Sequence, residues 1–154
     1  ARLVLAAVED MVAAVLHAAI HVPKLLATPG NDFSKKHAIK GVALVRSICC
    51  FAGVVSTSHH YMPWQMQMYG VLNNYDLPDL LAGLTAQSQV SALVVEPRDA
   101  RKRPLSWREA IRVYRFPQRL HASSHSTFKL LVGRRSPDSE GRALASFADD
   151  LVSN

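Results

Sequence analysis

The stretch DLLAGLTAQSQVSALVV, residues Asp79 to Val95, decides how the chain is read. Leu80, Leu81, Leu84, Ser88, Ser91 and Val95 fall loosely on one side of a helix, and Pro97 ends the run. Read this way, the segment is one long helix, and its neighbours follow. Upstream, a helix over Arg2 to His21 carries Leu3, Ala6, Ala7, Met11, Ala14, Val15 and Ala18 on one stripe, and Pro23 closes it. Further helices are expected over Ile39 to Ala52 and from Pro63 through Trp64 and Met68 to Leu72. Downstream, Ser106 caps a helix over Trp107 to Phe116, with Glu109 reaching back in a capping box and Pro117 as the stop. Helices over Thr127 to Arg134 and Ser139 to Leu151 complete a set of seven. Sustained two-residue alternation, the mark of a half-buried strand, is not found. The expectation is an all-α fold of about seven helices stacked as hairpins, one helical-repeat domain over residues 1–154.

Composition supports a folded chain. Hydrophobic residues make up 49% and charged ones 19%, too apolar for a chain that cannot offset its ordering entropy. The net charge of +6 draws acidic proteins, nucleic acid or anionic lipid without choosing among them. Cys49 and Cys50 are adjacent, so a strain-free disulfide between them is not expected; this fits a reducing compartment such as the cytosol or mitochondrial matrix. Leu3 to Ile20 is long and apolar, but Glu9 and Asp10 interrupt it, and Arg46 interrupts the run from Ile39 to Val55; neither is expected to span a membrane. The N-terminal run lacks the basic start and cleavage site of a signal peptide.

A weak internal repeat is present. A shift of 33 residues lays Ser106 on Ser139, Ala110 on Ala143, Ile111 on Leu144 and Tyr114 on Phe147. A shift of 37 lays Leu93-Val94-Val95 on Leu130-Leu131-Val132. Residues Trp107 to Tyr114 resemble the second helix of a pentatricopeptide repeat, Ser126 to Gly133 the first helix of the next, and Tyr69 to Pro78 the end of an earlier one. That resemblance implies a pentatricopeptide-like α-solenoid. In this family a polar side chain on each first helix reads an RNA base; the corresponding residues here are Leu93 and Leu130, so base reading is not expected. The combination is similar to a small subunit on the catalytic head of the euglenozoan mitochondrial F-type ATP synthase. It implies a non-catalytic accessory role in the mitochondrial matrix, attached to a larger protein complex, with an organellar RNA-associated or mitoribosomal protein as the alternative.

Candidate contact residues come from the basic cluster Arg98, Arg101, Lys102, Arg103, Arg108, Arg112, Arg115 and Arg119. Arg108, Arg112 and Arg115 share one helical side, joined by Arg119 if the helix continues past Pro117. Arg101, Lys102, Arg103, Arg108, Arg112 and Arg115 are the residues expected to meet an acidic partner, whether protein or phosphates. His17 and His21, and His121 and His125, stand four apart, but a third ligand is missing and no metal site is expected. His59 and His60 sit in a loop with nothing catalytic beside them. Glycine-rich phosphate loops, G-x-S-x-G and dinucleotide fingerprints are absent, so neither a cofactor nor catalysis is expected. Cys49 reads as a small core residue, and Met62, Trp64, Met66, Met68 and Trp107 as packing.

Overall fold

The computed structural model describes residues 2–26, 38–63, 70–88, 90–122 and 126–153. It contains a parallel sheet of four strands: β1 (Arg2–Val8), β2 (Ala38–Val45), β3 (Ser91–Val95) and β4 (Phe128–Leu131), in spatial order β1-β2-β3-β4. Helices alternate with them: α1 (Val12–Leu26), a short α2 (Phe51–Val55), α3 (Leu77–Ser88), α4 (Trp107–Ala122) and α5 (Pro137–Ser153). The all-α expectation and the pentatricopeptide-like solenoid are therefore overturned: the chain is α/β. No described helix is long and apolar enough to cross a membrane.

The reason lies in how the sheet is buried. Val42, Leu44, Ala92 and Val94 point to one face and pack against Val12 and Leu16 of α1, Leu81 and Leu84 of α3, and Ala110 and Tyr114 of α4. Ala43, Val45, Leu93 and Val95 point to the other, under Phe147, Leu144 and Leu151 of α5. All five residues of β3 are buried. A parallel strand covered on both faces is apolar at every position, so its period of two disappears from the sequence. Residues Asp79 to Val95 accordingly divide into α3, which ends at Ser88, and β3, which begins at Ser91.

The repeat at a shift of 37 has a physical basis other than the one expected. Leu93-Val94-Val95 and Leu130-Leu131 belong to neighbouring parallel strands, with Val94 beside Leu130 and Val95 beside Leu131, and Val132 follows directly after β4. The helix expected over Thr127 to Arg134 is thus β4 and the turn after it. Tyr114 and Phe147, matched at a shift of 33, are both buried, but against opposite faces of the sheet. The long first helix is instead strand β1, a turn, and α1. The expected Ile39 to Ala52 helix is mostly β2. Trp64, Met66, Met68, Tyr69 and His125 lie outside the described residues.

Candidate functional site

In open parallel α/β sheets, ligands meet the carboxyl ends of the strands. Here each strand ends in a sharp turn there. Glu9 follows β1 with φ 55°, Arg46 follows β2 with φ 51°, and Glu96 follows β3 with φ 47°; Gly133, two residues beyond β4, has φ 95°. Left-handed backbone costs a non-glycine residue about 1 kcal/mol or more, and it clusters at functional edges. The turning residues continue the ladder before the chain leaves: Arg46 N–H donates to the Val95 carbonyl at 2.9 Å and Glu96 N–H to the Leu131 carbonyl at 2.7 Å. The result is a rim of charged side chains.

Most of those charges pair with one another, although Arg46 Nε and Arg135 Nε have no hydrogen-bond partner among the described residues. The Glu96 side chain is almost wholly buried; its Oε1 accepts from Arg98 Nη2 at 2.7 Å and Nε at 3.2 Å, and its Oε2 from Arg135 N–H at 3.1 Å. Arg46 Nε stands 3.7 Å from Glu140 Oε1 on α5. Lys102, itself at φ 58°, reaches across the end of β2 to Asp10 at 3.1 Å and Glu9 at 3.8 Å. Arg103 pairs with Asp99 at 2.6 Å. Although partial burial opposes it, hydrogen bonds from the backbone and side chain of Arg103 and the backbone of Arg101 hold the Asp99 carboxyl below its usual range. A hollow of about 380 Å³ beside this pair is lined by Asp99, Arg103, Pro104, Leu105, Ser106 and Glu109.

Helix α4 leaves this rim and runs back along the sheet. The expected capping box is present: Ser106 N–H and Oγ–H donate to Glu109 Oε2 at 2.8 and 2.6 Å, and Glu109 N–H points back at Ser106 Oγ at 3.4 Å. The Ser106 hydroxyl and N–H hold the Glu109 carboxyl below its usual range. The helix does not stop at Pro117 but continues to Ala122 with that proline inside it and buried. Arg108, Arg112, Arg115 and Arg119 therefore form one exposed line, at spacings of four and three, over about 16 Å. Trp107, Ile111 and Phe116 are exposed on the same helix.

The six expected contact residues thus divide by environment. Lys102 and Arg103 are engaged by acids of this chain. Arg101 is exposed; its backbone N–H donates to Asp99 Oδ1 at 2.8 Å, and its side chain forms no ion pair among the described residues. Arg108, Arg112 and Arg115 form no ion pair among the described residues. Sequence reasoning missed Glu96, Arg135 and Glu140 altogether and weighed Glu9, Asp10 and Arg46 only against a membrane span. These positions share a mark in the sequence: each of the first three strands ends in a valine followed by a charged residue, Val8-Glu9, Val45-Arg46 and Val95-Glu96.

Two histidine pairs were candidates. His17 and His21 stack 5.8 Å apart on α1, with His17 Nε2 3.1 Å from the Tyr75 hydroxyl; burial and then His21 lower the His17 pKa. No group of three or more metal-ligating side chains lies together among the described residues. His121 sits at the opposite, amino edge of the sheet, beside a cavity of about 360 Å³, with Nδ1 2.9 Å from Ser126 Oγ. That spacing suits a serine nucleophile and its base. Burial, however, pushes His121 down to about 4, so at neutral pH it is a weak proton acceptor. The contact ties the end of α4 to the start of β4.

Fold and rim together define a parallel α/β domain with an internally neutralised carboxyl edge and a basic, aromatic helix on its flank. Compared with known proteins, the chain matches no family model, and neither a curated protein nor a solved structure is significantly similar to it.

Proposed function

We propose that this chain is a non-catalytic binding domain that docks on an acidic protein surface through the outer face of α4. The observation that carries the reading is the contrast between the two sets of cations. Arg46, Arg98, Lys102 and Arg103 at the sheet rim meet Glu140, Glu96, Asp10 and Asp99, whereas Arg108, Arg112, Arg115 and Arg119 meet no acid among the described residues. The one acid on α4, Glu109, is held by Ser106. Trp107, Ile111 and Phe116 beside the arginines supply apolar area, and Trp with Arg dominates the energetics of protein interfaces. An aliphatic Ile111 within the line suits a protein surface better than stacked bases. The helical repeats that would imply attachment to a mitochondrial ATP synthase head give this partner no support, so its chemistry alone specifies it.

Isolation of the native protein at moderate salt tests the reading. An acidic protein should travel with it in stoichiometric amount, survive ribonuclease, and be lost from the Arg108→Glu, Arg112→Glu double variant. Release by ribonuclease would transfer the surface to RNA, and retention by the double variant would end the proposal.

A second reading rests on the turn between β1 and α1. A strand that enters a helix through a sharp, strained turn is how α/β-hydrolases present their nucleophile, and a carboxylate can serve as one. Glu9 occupies that turn with its side chain 43% exposed and Lys102 Nζ at 3.8 Å. Hydrolysis of activated esters, abolished by Glu9→Gln, would favour it; no turnover by the wild-type protein would retire it.

A further inference from the structure

Cys49 and Cys50 follow β2 beside the charged rim, Cys49 N–H donating to the Arg98 carbonyl at 2.9 Å, and neither side chain takes part in the ion pairs there or in the exposed face of α4. On a regular helix their side chains would point in different directions; here, at the entry to α2, where Cys50 has φ −162° and ψ 150°, the two sulfurs meet. The sulfurs stand 3.6 Å apart, Cys49 S–H donating to Cys50 Sγ. Cys49 is buried and Cys50 is half-buried. The backbone at Gly53 lies over the Cys50 sulfur, where a Cβ would come within 3.2 Å. A disulfide would need the sulfurs at about 2.05 Å, in a ring strained by joining adjacent residues. A single atom that bonds two sulfurs at about 2.3 Å instead holds them about 3.4 to 3.8 Å apart, across bond angles from pyramidal to tetrahedral. The observed spacing falls in that range.

We infer that Cys49 and Cys50 form a two-sulfur site for a trivalent monoorganoarsenical, the soft ligand whose two exchangeable valences two thiols satisfy. Zinc is a poorer match, since it takes three or four protein ligands and the described residues gather no third His, Cys, Asp or Glu around the pair. The reaction is a substitution without redox change. Each thiol loses its proton, two arsenic–sulfur bonds replace the arsenic–oxygen bonds of the oxide, one water leaves, and arsenic remains trivalent. Attack begins at Cys50, whose thiolate is favoured by the Cys49 S–H and by the Gly53 N–H; the same contact and burial push the Cys49 proton up, so it leaves second.

Phenylarsine oxide is the probe, added to the native chain with a phosphine reductant and followed by intact mass. One phenylarsenic group per chain is expected, released by excess dithiol but not by monothiol at equal thiol concentration. Cys49→Ser and Cys50→Ser should each abolish the monothiol-resistant adduct, and Gly53→Ala should slow its formation by crowding the Cys50 sulfur. If Cys49→Ser does not fold, Cys50→Ser decides alone. The inference is overturned if the native chain stays unmodified while the urea-unfolded chain is labelled, if monothiol strips the adduct, or if a folded single-serine variant keeps a monothiol-resistant one.

Discussion

Lowering the pH from 7 to 5 places a proton on the unfolded chain that the folded chain refuses, at His121. The ring is 3% exposed, packs against Phe128 with ring centres 5.2 Å apart, and sits with Nδ1 2.9 Å from Ser126 Oγ. Burial lowers it from 6.5 to about 4. Since the folded value is the depressed one, its contribution to stability is full above pH 6.5. It declines as pH falls from there towards 4, where the unfolded chain is protonated and the folded chain is not, and it levels off below. At about 1.36 kcal/mol per unit the complete loss is about 3 kcal/mol, of which about 2 kcal/mol has gone by pH 5. Other groups titrate in this range, so the quantity to measure is a difference. In His121→Asn the side-chain amide, which can donate or accept, stands in for Nδ1 opposite the Ser126 hydroxyl, and nothing titrates there. Urea unfolding of both proteins at pH 7 and pH 5, followed by far-ultraviolet circular dichroism, should show the wild type losing about 2 kcal/mol more than the variant. Equal losses in the two proteins would refute the claim that this imidazole is held neutral by burial.

Three further outcomes follow from packing and pairing. Gly41→Ala on β2 should destabilise by about 1–3 kcal/mol in denaturant melts, because a Cβ there runs into Leu151 Cδ1 and comes within 3.0 Å of Phe147 Cε1. Asp76→Ala should cost about 1–2 kcal/mol, and Asp76→Asn less: the carboxylate accepts from the Phe51, Ala52 and Leu77 backbone N–H groups at 2.6, 3.1 and 2.7 Å, tying the start of α2 to that of α3. Glu96→Ala should cost about 3 kcal/mol, because it strips a half-buried Arg98 of its carboxylate and leaves the Arg135 N–H without an acceptor; a loss under 1 kcal/mol would show that water replaces the carboxylate.

The local features of α4 were legible in the sequence. A capping box is closed within four residues and an amphipathic face within a few turns, so Ser106, Glu109 and the arginine line could be placed without knowing what lies across the molecule. Pro117 misled about the far end of that helix: tertiary contacts bury the proline and keep the helix going despite a missing backbone hydrogen bond. The pairing of Lys102 was beyond sequence reasoning, since its partner Asp10 is 92 positions away and meets it only when β1 and β3 bring their ends to the same rim.

What the amino-acid sequence determined alone was a folded, basic chain without a disulfide framework, with a charged helix opening at Ser106 and an apolar triplet recurring at Leu93 and Leu130. What only the tertiary structure decided was that this triplet is strand. Strand and helix are told apart in a sequence by the side left facing water. Once α1, α3 and α4 cover one face of the sheet and α5 the other, β3 has no such side, and its conformation is set by the neighbours it pairs with.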